Sequence, residues 1–239
     1  VLPGVRLTCL DRTGRFDLRG LRRFRRLIRE RRPDVVHAHG WSSLQFCTAG
    51  LTGLRRAPAL VFHDHRGKGL EALPRSYRLS AWPLTAAHIA VDRALLIPKP
   101  RTRLPLVQAV AANGVPLDRF VPKRDYVPAR RPTLVMTANL RPEKGHMEFI
   151  EALAQLAHSG IDTHTDLIGA LSDSDYETSC RRKITALGLG DRVTLVGPRS
   201  DVGDLLATHD LGVLSSRTES GPIALIEYLA SGLPFVVTD

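Results

Sequence analysis

Residues 210–239, with the sequence DLGVLSSRTESGPIALIEYLASGLPFVVTD, decide the fold class of this chain. The apolar run LGVL predicts a buried strand of a parallel sheet. Pro222 favours the first turn of a following helix, because its fixed φ and missing N–H cost nothing at that position. A second apolar run near residues 234–238 predicts the next strand. The segment therefore indicates a strand–helix–strand unit of an α/β protein.

Two carboxylates, Glu219 and Glu227, flank the start of this predicted helix. Glu219 falls in the strand-to-helix loop, and Glu227 falls roughly 7–8 Å further along the helix axis, at about 1.5 Å per residue. Both are expected to face the crevice beyond the carboxyl ends of the strands, where open α/β sheets hold ligands. Because an ionised carboxylate accepts several hydrogen bonds, the pair favours a hydroxyl-rich ligand such as a sugar.

A second segment, TLVMTANLRPEKGHMEFIEALAQL at residues 133–156, carries two cations. Its pattern predicts a strand, then a loop with Arg141 and Lys144, then an amphipathic helix. Two cations beside the open N–H groups of a helix start favour an anion, and a diphosphate fits best. The alternative is that both are ordinary loop charges. The carboxylate pair downstream in the same strand–helix pattern favours the anion site.

Strands and helices alternate through the rest of the second half, which predicts a parallel, Rossmann-like sheet. The first half is less regular, and residues 76–88 and 97–105 fit no element clearly. The predicted strands lie near residues 34–38, 58–62, 86–90, 133–138, 164–168, 192–196, 210–214 and 234–238, and the predicted helices of the second half lie near 146–158, 174–187, 202–208 and 222–231.

Several motifs occur together in the order of one known family. Residues 133–239 resemble the donor-binding half of retaining glycosyltransferases of the GT-B fold, in glycosyltransferase family 4. The motifs that carry this resemblance are NLRPEKGH, DLIGA, LGLGDRVTLVG, DVGDLLATHDLGVLSS and ESGPIALIEYLASGLPFVVTD. Upstream, RPDVVHAHGWSS, ALVFHDH and VAANGVPLDRFVP resemble parts of the family's acceptor half.

The resemblance implies an α/β protein with two Rossmann-like domains facing a cleft. Residues 1–127 would form the acceptor-side domain, and residues 128–239 would form the nucleotide-sugar domain. Both domains are expected to be incomplete, because the family's first strand and its last helices have no counterpart in the chain. The chain is therefore expected to be a fragment of a longer protein.

The resemblance also implies roles for the residues that match the family's motifs. Arg141 and Lys144 would bind the diphosphate of a nucleotide sugar. Glu227 would hold the ribose hydroxyls, and Glu219 would contact the donor sugar. Backbone amides of the turn would add hydrogen-bond donors, namely those of Ser220, Gly221 and Ile223.

On the acceptor side, His63 matches a cleft histidine that lies near the transferred sugar, and His39 could reach the same cleft. The implied reaction moves a sugar to an acceptor hydroxyl with retention of configuration, without a bound metal or a cofactor. The leaving diphosphate would help to deprotonate the acceptor, with His63, Arg141, Lys144 and Glu219 as the catalytic residues. Sugars, lipid-linked molecules and small molecules are all open as acceptors, and cell-envelope glycan or glycolipid synthesis would suit them.

Other functions remain compatible with the sequence. A nucleotide-sugar epimerase or a phosphorylase-like enzyme would keep the GT-B fold and change the chemistry. A non-catalytic nucleotide-sugar-binding module would keep the site without turnover.

The sequence departs from the family's pattern next to both carboxylates. Ser220 and Gly221 follow Glu219, where the family usually has Gly and a large apolar residue. Tyr228 follows Glu227, where a small residue is usual. Neither change removes a carboxylate, but Tyr228 is expected to crowd the helix packing or to shift the pocket.

Charge divides the chain into two unlike halves. The net charge is +10, from 34 basic and 24 acidic residues. Residues 1–127 hold 24 basic and 9 acidic residues, whereas residues 128–239 hold 10 and 15. The break falls in KRDYVPARRP, residues 123–132, which predicts an interdomain linker.

The basic half concentrates its charge in GLRRFRRLIRERRPD, residues 20–34. Four apolar residues at helical spacing predict a surface helix that packs on the sheet: Leu21, Phe24, Leu27 and Ile28. The arginines on the other faces also suit an anionic membrane surface. Nucleic-acid binding is disfavoured, because no aromatic interleaving or known binding module accompanies them.

Histidines and cysteines complete the candidate set. His37 and His39 form one short pair, and His63 and His65 form another. Such pairs without a second ligand cluster do not predict a metal site. The scattered cysteines indicate reduced thiols of a cytoplasmic protein. Together with the arginine-rich helix, this is compatible with peripheral attachment to the inner face of the cell membrane.

Overall fold

The structure, a computed structural model, describes residues 4–14, 17–65, 84–96, 106–123, 127, 129–171 and 174–238. It divides into two compact units, Val1–Ala112 and Asn113–Asp239. Residues 113–127, which the charge pattern grouped with the first half, thus belong to the second unit. The segments at 76–83 and 97–105, and part of the predicted linker, lie outside the described residues.

The first unit contains a four-stranded parallel sheet with the order β1-β2-β3-β4. Its elements are α1 (Leu18–Arg31), β1 (Val35–His39), α2 (Trp41–Leu51), β2 (Ala59–Asp64), β3 (Thr85–Ala90) and β4 (Val107–Val110). The three strands predicted in this half are confirmed. The sequence predicted neither α2, which is buried along most of its length and shows no apolar stripe, nor the short strand β4.

Helix α1 forms as its sequence pattern predicts. The Asp17 side chain caps it, accepting hydrogen bonds from the amides of Arg19 (2.9 Å) and Gly20 (3.0 Å). Phe24 and Ile28 are buried in one core with residues of α2, β1 and β2. The arginines of α1 therefore project away from this core.

The second unit contains a five-stranded parallel sheet with the order β7-β6-β5-β8-β9. The chain builds outward from β5 to β7, then returns to place β8 on the other side of β5. The strand order reverses between β5 and β8, which makes the carboxyl ends of these two strands the topological switch point of the sheet. The elements are β5 (Thr133–Thr137), α3 (His146–His158), β6 (His164–Ile168), α4 (Ser174–Ala186), β7 (Val193–Gly197), α5 (Val202–Thr208), β8 (Leu211–Leu214), α6 (Ile223–Ala230) and β9 (Phe235–Val237).

Alternate residues of β5 belong to two different cores. Leu134 and Met136 pack with residues of α3 and α4, whereas Val135 packs with residues of α5 and α6. Helices therefore cover both faces of the sheet. This arrangement confirms the predicted α/β class, with parallel, Rossmann-like sheets.

Tyr228 fits into α6 without the expected crowding. Its side chain is fully buried, and it lies against Gly212 of β8, where an added Cβ would come within 2.7 Å of the ring. The Tyr228 hydroxyl accepts a hydrogen bond from the Thr137 amide (2.9 Å) and donates to the Val213 carbonyl (3.1 Å). Tyr228 thus fastens α6 to both strands at the switch point.

Two further features concern the cysteines and the apolar character of the helices. Cys9, Cys47 and Cys180 are free thiols, and burial raises the pKa of Cys47 to about 11. Among the described helices, none has both the length and the apolar composition needed to cross a membrane.

Candidate functional site

Two loops meet at the switch point of the second sheet. One follows β5 and leads to α3, and the other follows β8 and leads to α6. Gly145 adopts a positive φ of 73°, and a Cβ at this position would overlap the backbone carbonyl oxygen of Ser215. Only glycine fits there, because both the φ angle and the close approach exclude a side chain.

Polar contacts hold the two loops together. The Ser215 hydroxyl lies 3.0 Å from the Gly145 carbonyl oxygen and 3.2 Å from that of Lys144. The Arg217 amide donates to the Glu143 carbonyl at 2.9 Å, and the Arg217 side chain pairs with Glu148 of α3. The loops therefore present their side chains from one connected frame.

Within this frame, the structure brings together a predicted cation and a predicted carboxylate. Lys144 Nζ lies 2.5 Å from Glu219 Oε1, and the two side chains are 26% and 22% exposed. Arg141 directly precedes the 3₁₀ turn Pro142–Lys144 and is exposed. Residues 75 positions apart in the sequence thus form one charged site at the carboxyl ends of β5 and β8.

Helix α6 receives no side-chain cap from its own N-cap residue. Helix α6 begins at Ile223, and Pro222 at its N-cap gives no side-chain hydrogen bond to the first turn. Gly221 has a φ of 64°, and the Asn113 side chain donates to its carbonyl at 2.6 Å. The uncapped N–H groups can donate to an anion or to sugar oxygens. Asn113 was missed as a site residue, although it lies in the motif VAANGVPLDRFVP.

Glu227 lies four residues into α6 and is half-buried. Burial raises the pKa of Glu227 above its usual 4.5, and a hydrogen bond from the Thr137 side chain opposes that shift. The ionised carboxylate of Glu227 therefore lowers the free energy of unfolding of the protein. Such a cost is common for groups kept for ligand binding.

A small cavity opens beside Glu219. Its volume is about 220 Å³, and its lining includes Ser216, Thr218, Glu219, Pro222 and Leu225. Pockets for whole small molecules measure roughly 300–1,000 Å³. This cavity would therefore hold one part of a larger ligand.

The predicted acceptor-side histidines lie in the first unit. His39 ends β1, and His63 lies opposite it on β2. Burial lowers the pKa of His63 to about 4, with further contributions from His65, His39 and His37. His63 is thus neutral at physiological pH and could accept a proton only weakly.

Comparisons with known proteins agree with this architecture. Residues 1–97 match the family described as Glycosyltransferase Family 4, and residues 121–239 match the family described as Glycosyl transferases group 1. The crystal structure of Anabaena Alr3699/HepE in complex with UDP and glucose has a TM-score of 0.74 at 21% identity. It aligns with 94% of this chain and 65% of its own length.

The chain belongs to the glycosyltransferases of GT-B fold. Two Escherichia coli proteins are among its relatives. The first is UDP-Gal:alpha-D-GlcNAc-diphosphoundecaprenol alpha-1,3-galactosyltransferase, which is 25% identical over 93% of this chain. The second is the putative colanic acid biosynthesis glycosyltransferase WcaL of strain K12, which is 32% identical over 87% of this chain. The chain spans 62% and 53% of the length of these two relatives.

We expect Glu227→Gln to raise the melting temperature of the nucleotide-free protein at neutral pH. The raised pKa of Glu227 means that the folded state disfavours the carboxylate. The contribution of Glu227 to the free energy of unfolding therefore falls as the pH rises from 4.5 through the raised pKa. Glutamine does not titrate, so the gain should shrink as pH falls below 4.5, where the wild-type carboxyl is protonated in both states. Thermal unfolding of both proteins across this pH range measures the difference.

The exposed carboxylate Glu143 provides the matched control. Glu143→Gln should leave the melting temperature nearly unchanged at every pH. Equal melting temperatures of wild type and Glu227→Gln at neutral pH would show that burial does not disfavour the ionised form of this carboxylate.

Proposed function

We propose that this chain serves a retaining glycosyltransferase, which moves a sugar from a nucleotide-diphosphate sugar to an acceptor hydroxyl. The observation that carries the proposal is the Lys144–Glu219 pair at the switch point, where open α/β sheets hold ligands. A cation, a carboxylate and uncapped helix amides suit a ligand that joins a diphosphate to a sugar. The bound UDP and glucose of Alr3699/HepE support the same ligand class.

Each site residue then has a defined task. Arg141 and Lys144 stabilise the negative charge that develops on the departing diphosphate, as a divalent ion does in other enzymes. Glu219 accepts hydrogen bonds from the donor sugar, and Glu227 accepts them from the ribose. Amides of the turn at Ser220–Ile223 add donors, except at Pro222, which has no N–H.

The transfer step exchanges one bond for another. The bond between the anomeric carbon and the diphosphate oxygen breaks, and a bond from the acceptor oxygen forms on the same face of the sugar. The acceptor proton goes to the leaving diphosphate, so the step needs neither a metal nor a redox cofactor. His63 is too weak a base at neutral pH to take that proton itself. We therefore assign His39 and His63 to contacts with the acceptor and not to proton removal.

Incubation with labelled nucleotide sugars and a mixture of acceptors tests the reaction. We expect transfer or slow hydrolysis of the donor, with a product whose anomeric configuration, read by NMR, matches that of the donor. Free sugar with a changed configuration at carbon 2 would indicate an epimerase instead. Binding without any turnover would indicate a nucleotide-sugar-binding module.

Arg141→Ala should weaken UDP binding by about 1.5–3 kcal/mol, the range for hydrogen bonds to charged groups. Titration calorimetry with UDP and GDP measures this loss. Arg182→Ala is the control, because Arg182 is exposed on α4, away from both loops. Unchanged affinity of Arg141→Ala would remove Arg141 from the diphosphate site.

The two glutamates should respond differently to the same titration. Glu227→Gln should weaken the free nucleoside diphosphate and the nucleotide sugar alike, because the ribose is present in both. Glu219→Gln should weaken mainly the nucleotide sugar. Equal losses on the free nucleoside diphosphate would contradict this division between ribose and sugar.

We also propose a peripheral location on an anionic membrane, which would suit a lipid-linked acceptor. Arg29 of α1, together with Arg32, Arg55 and Arg56, lines an open cavity of about 840 Å³ that suits anionic headgroups. Each basic residue near such a surface contributes about 1 kcal/mol to binding.

Sedimentation with phosphatidylserine vesicles should capture the protein, and Arg29→Glu with Arg55→Glu should reduce capture. Equal capture by phosphatidylcholine vesicles would contradict the proposal.

A further inference from the structure

Two pairs of histidines gather on one face of the first sheet. In the parallel pairing of β1 and β2, His39 lies opposite His63. His37 precedes His39 by two residues, and His65 follows His63 by two, so all four alternate onto the same face. Ala38, between His37 and His39, and Phe62, directly before His63, belong to the buried core on the opposite face.

The imidazole rings of this histidine cluster (His37, His39, His63 and His65) are close neighbours. Ring centroids lie 4.4 Å apart for His37 and His39, 5.0 Å for His39 and His63, and 5.4 Å for His37 and His63. One ring nitrogen from each of these three lies within 4.8 Å of the other two. A tetrahedral zinc ion with Zn–N bonds of about 2.0–2.1 Å needs nitrogens roughly 3.4 Å apart. His37 and His39 are exposed, so small side-chain rotations can close the difference.

Hydrogen bonding leaves ring nitrogens available for an ion. His39 Nδ1 lies 2.9 Å from His65 Nε2, which leaves Nε2 of His39 for another ligand. Neither ring nitrogen of His63 has a hydrogen-bond partner among the described residues, although both nitrogens are buried. A buried polar atom without a partner is costly, and a bound cation would satisfy it.

The type of donor atom favours the same class of ion. Imidazole nitrogen is a ligand that suits Zn²⁺, Cu²⁺ and Ni²⁺, whereas carboxylate, carbonyl and water oxygens suit Mg²⁺ and Ca²⁺. The three histidines therefore favour an ion of the first group.

We propose that His37, His39 and His63 bind a divalent transition-metal ion of the zinc class. His65 orients His39 through the Nδ1–Nε2 hydrogen bond, as outer partners of metal-binding histidines commonly do. Three protein ligands leave a fourth position open to water or to another molecule. Each pair alone gave no reason to expect a metal; the adjacency of β1 and β2 supplies the second ligand group.

This site lies wholly in the first unit and shares His39 and His63 with the acceptor contacts proposed above, whereas the cations proposed for the diphosphate belong to the second unit. Its test measures metal binding and therefore does not depend on the proposed transfer reaction. Nucleotide titrations address the second unit, and metal titrations address the histidine cluster.

Calorimetry with Zn²⁺ on protein without a polyhistidine tag tests the site. We expect one Zn²⁺ per chain and no binding of Mg²⁺, which prefers oxygen ligands. His65→Gln should weaken Zn²⁺ binding by about 10–100-fold, the usual effect of removing an outer partner. His39→Gln, which removes a ligand, should weaken it further. His158→Gln is the control, because His158 lies at the end of α3 in the second unit.

Co²⁺ provides a second readout that reports geometry. A four-coordinate site with three imidazoles should give intense visible absorption, which His37→Gln and His39→Gln should abolish while the melting temperature of the metal-free protein is kept. Equal Zn²⁺ affinity of wild type and the double variant His37→Gln/His39→Gln would overturn the proposal. So would Zn²⁺ binding that only His158→Gln removes.

Discussion

The second unit depends on one close backbone contact, between Gly145 and Ser215. It joins the loops that follow β5 and β8, and it exists because position 145 carries no side chain and adopts a positive φ. From this contact follow the hydrogen bonds of Ser215 and the meeting of Lys144 with Glu219. The sheet supplies the location, since its strand order reverses between these two strands. The chemistry of the site is therefore a consequence of backbone packing.

Lys144 and Glu219 neutralise each other in their ion pair. An incoming diphosphate would compete with the carboxylate for the ammonium group, and a sugar would offer hydroxyl donors to the carboxylate thus released. A ligand with only one of these two groups would have to break the pair and satisfy only one of its members. On the proposed function, this pair would therefore favour ligands that carry both groups at once.

Much of this arrangement could be predicted from the sequence, because the second half has regular alternation and clear turn residues. All five of its strands and all four of its helices are where the pattern of apolar residues indicated. The first half was harder to interpret for physical reasons. Helix α2 is buried on most sides and lacks an amphipathic pattern, and β4 has only four residues. The histidine cluster could not be predicted at all, since it depends on which strand lies beside β1 and in which register.

Gly212 and Tyr228 restrict each other, and this has a consequence for how the sequence can change. With tyrosine at 228, any side chain at 212 collides with the ring; with a small residue at 228, position 212 is released. A sequence with Gly212 and Tyr228 can therefore change to one with a side chain at 212 and a small residue at 228 only if the two substitutions occur in a fixed order. The bulky side chain has to shrink before the glycine is lost, and the glycine has to appear before the bulky side chain. Homologues should accordingly show linked substitution at these two sites, a signature that an alignment of the family would contain.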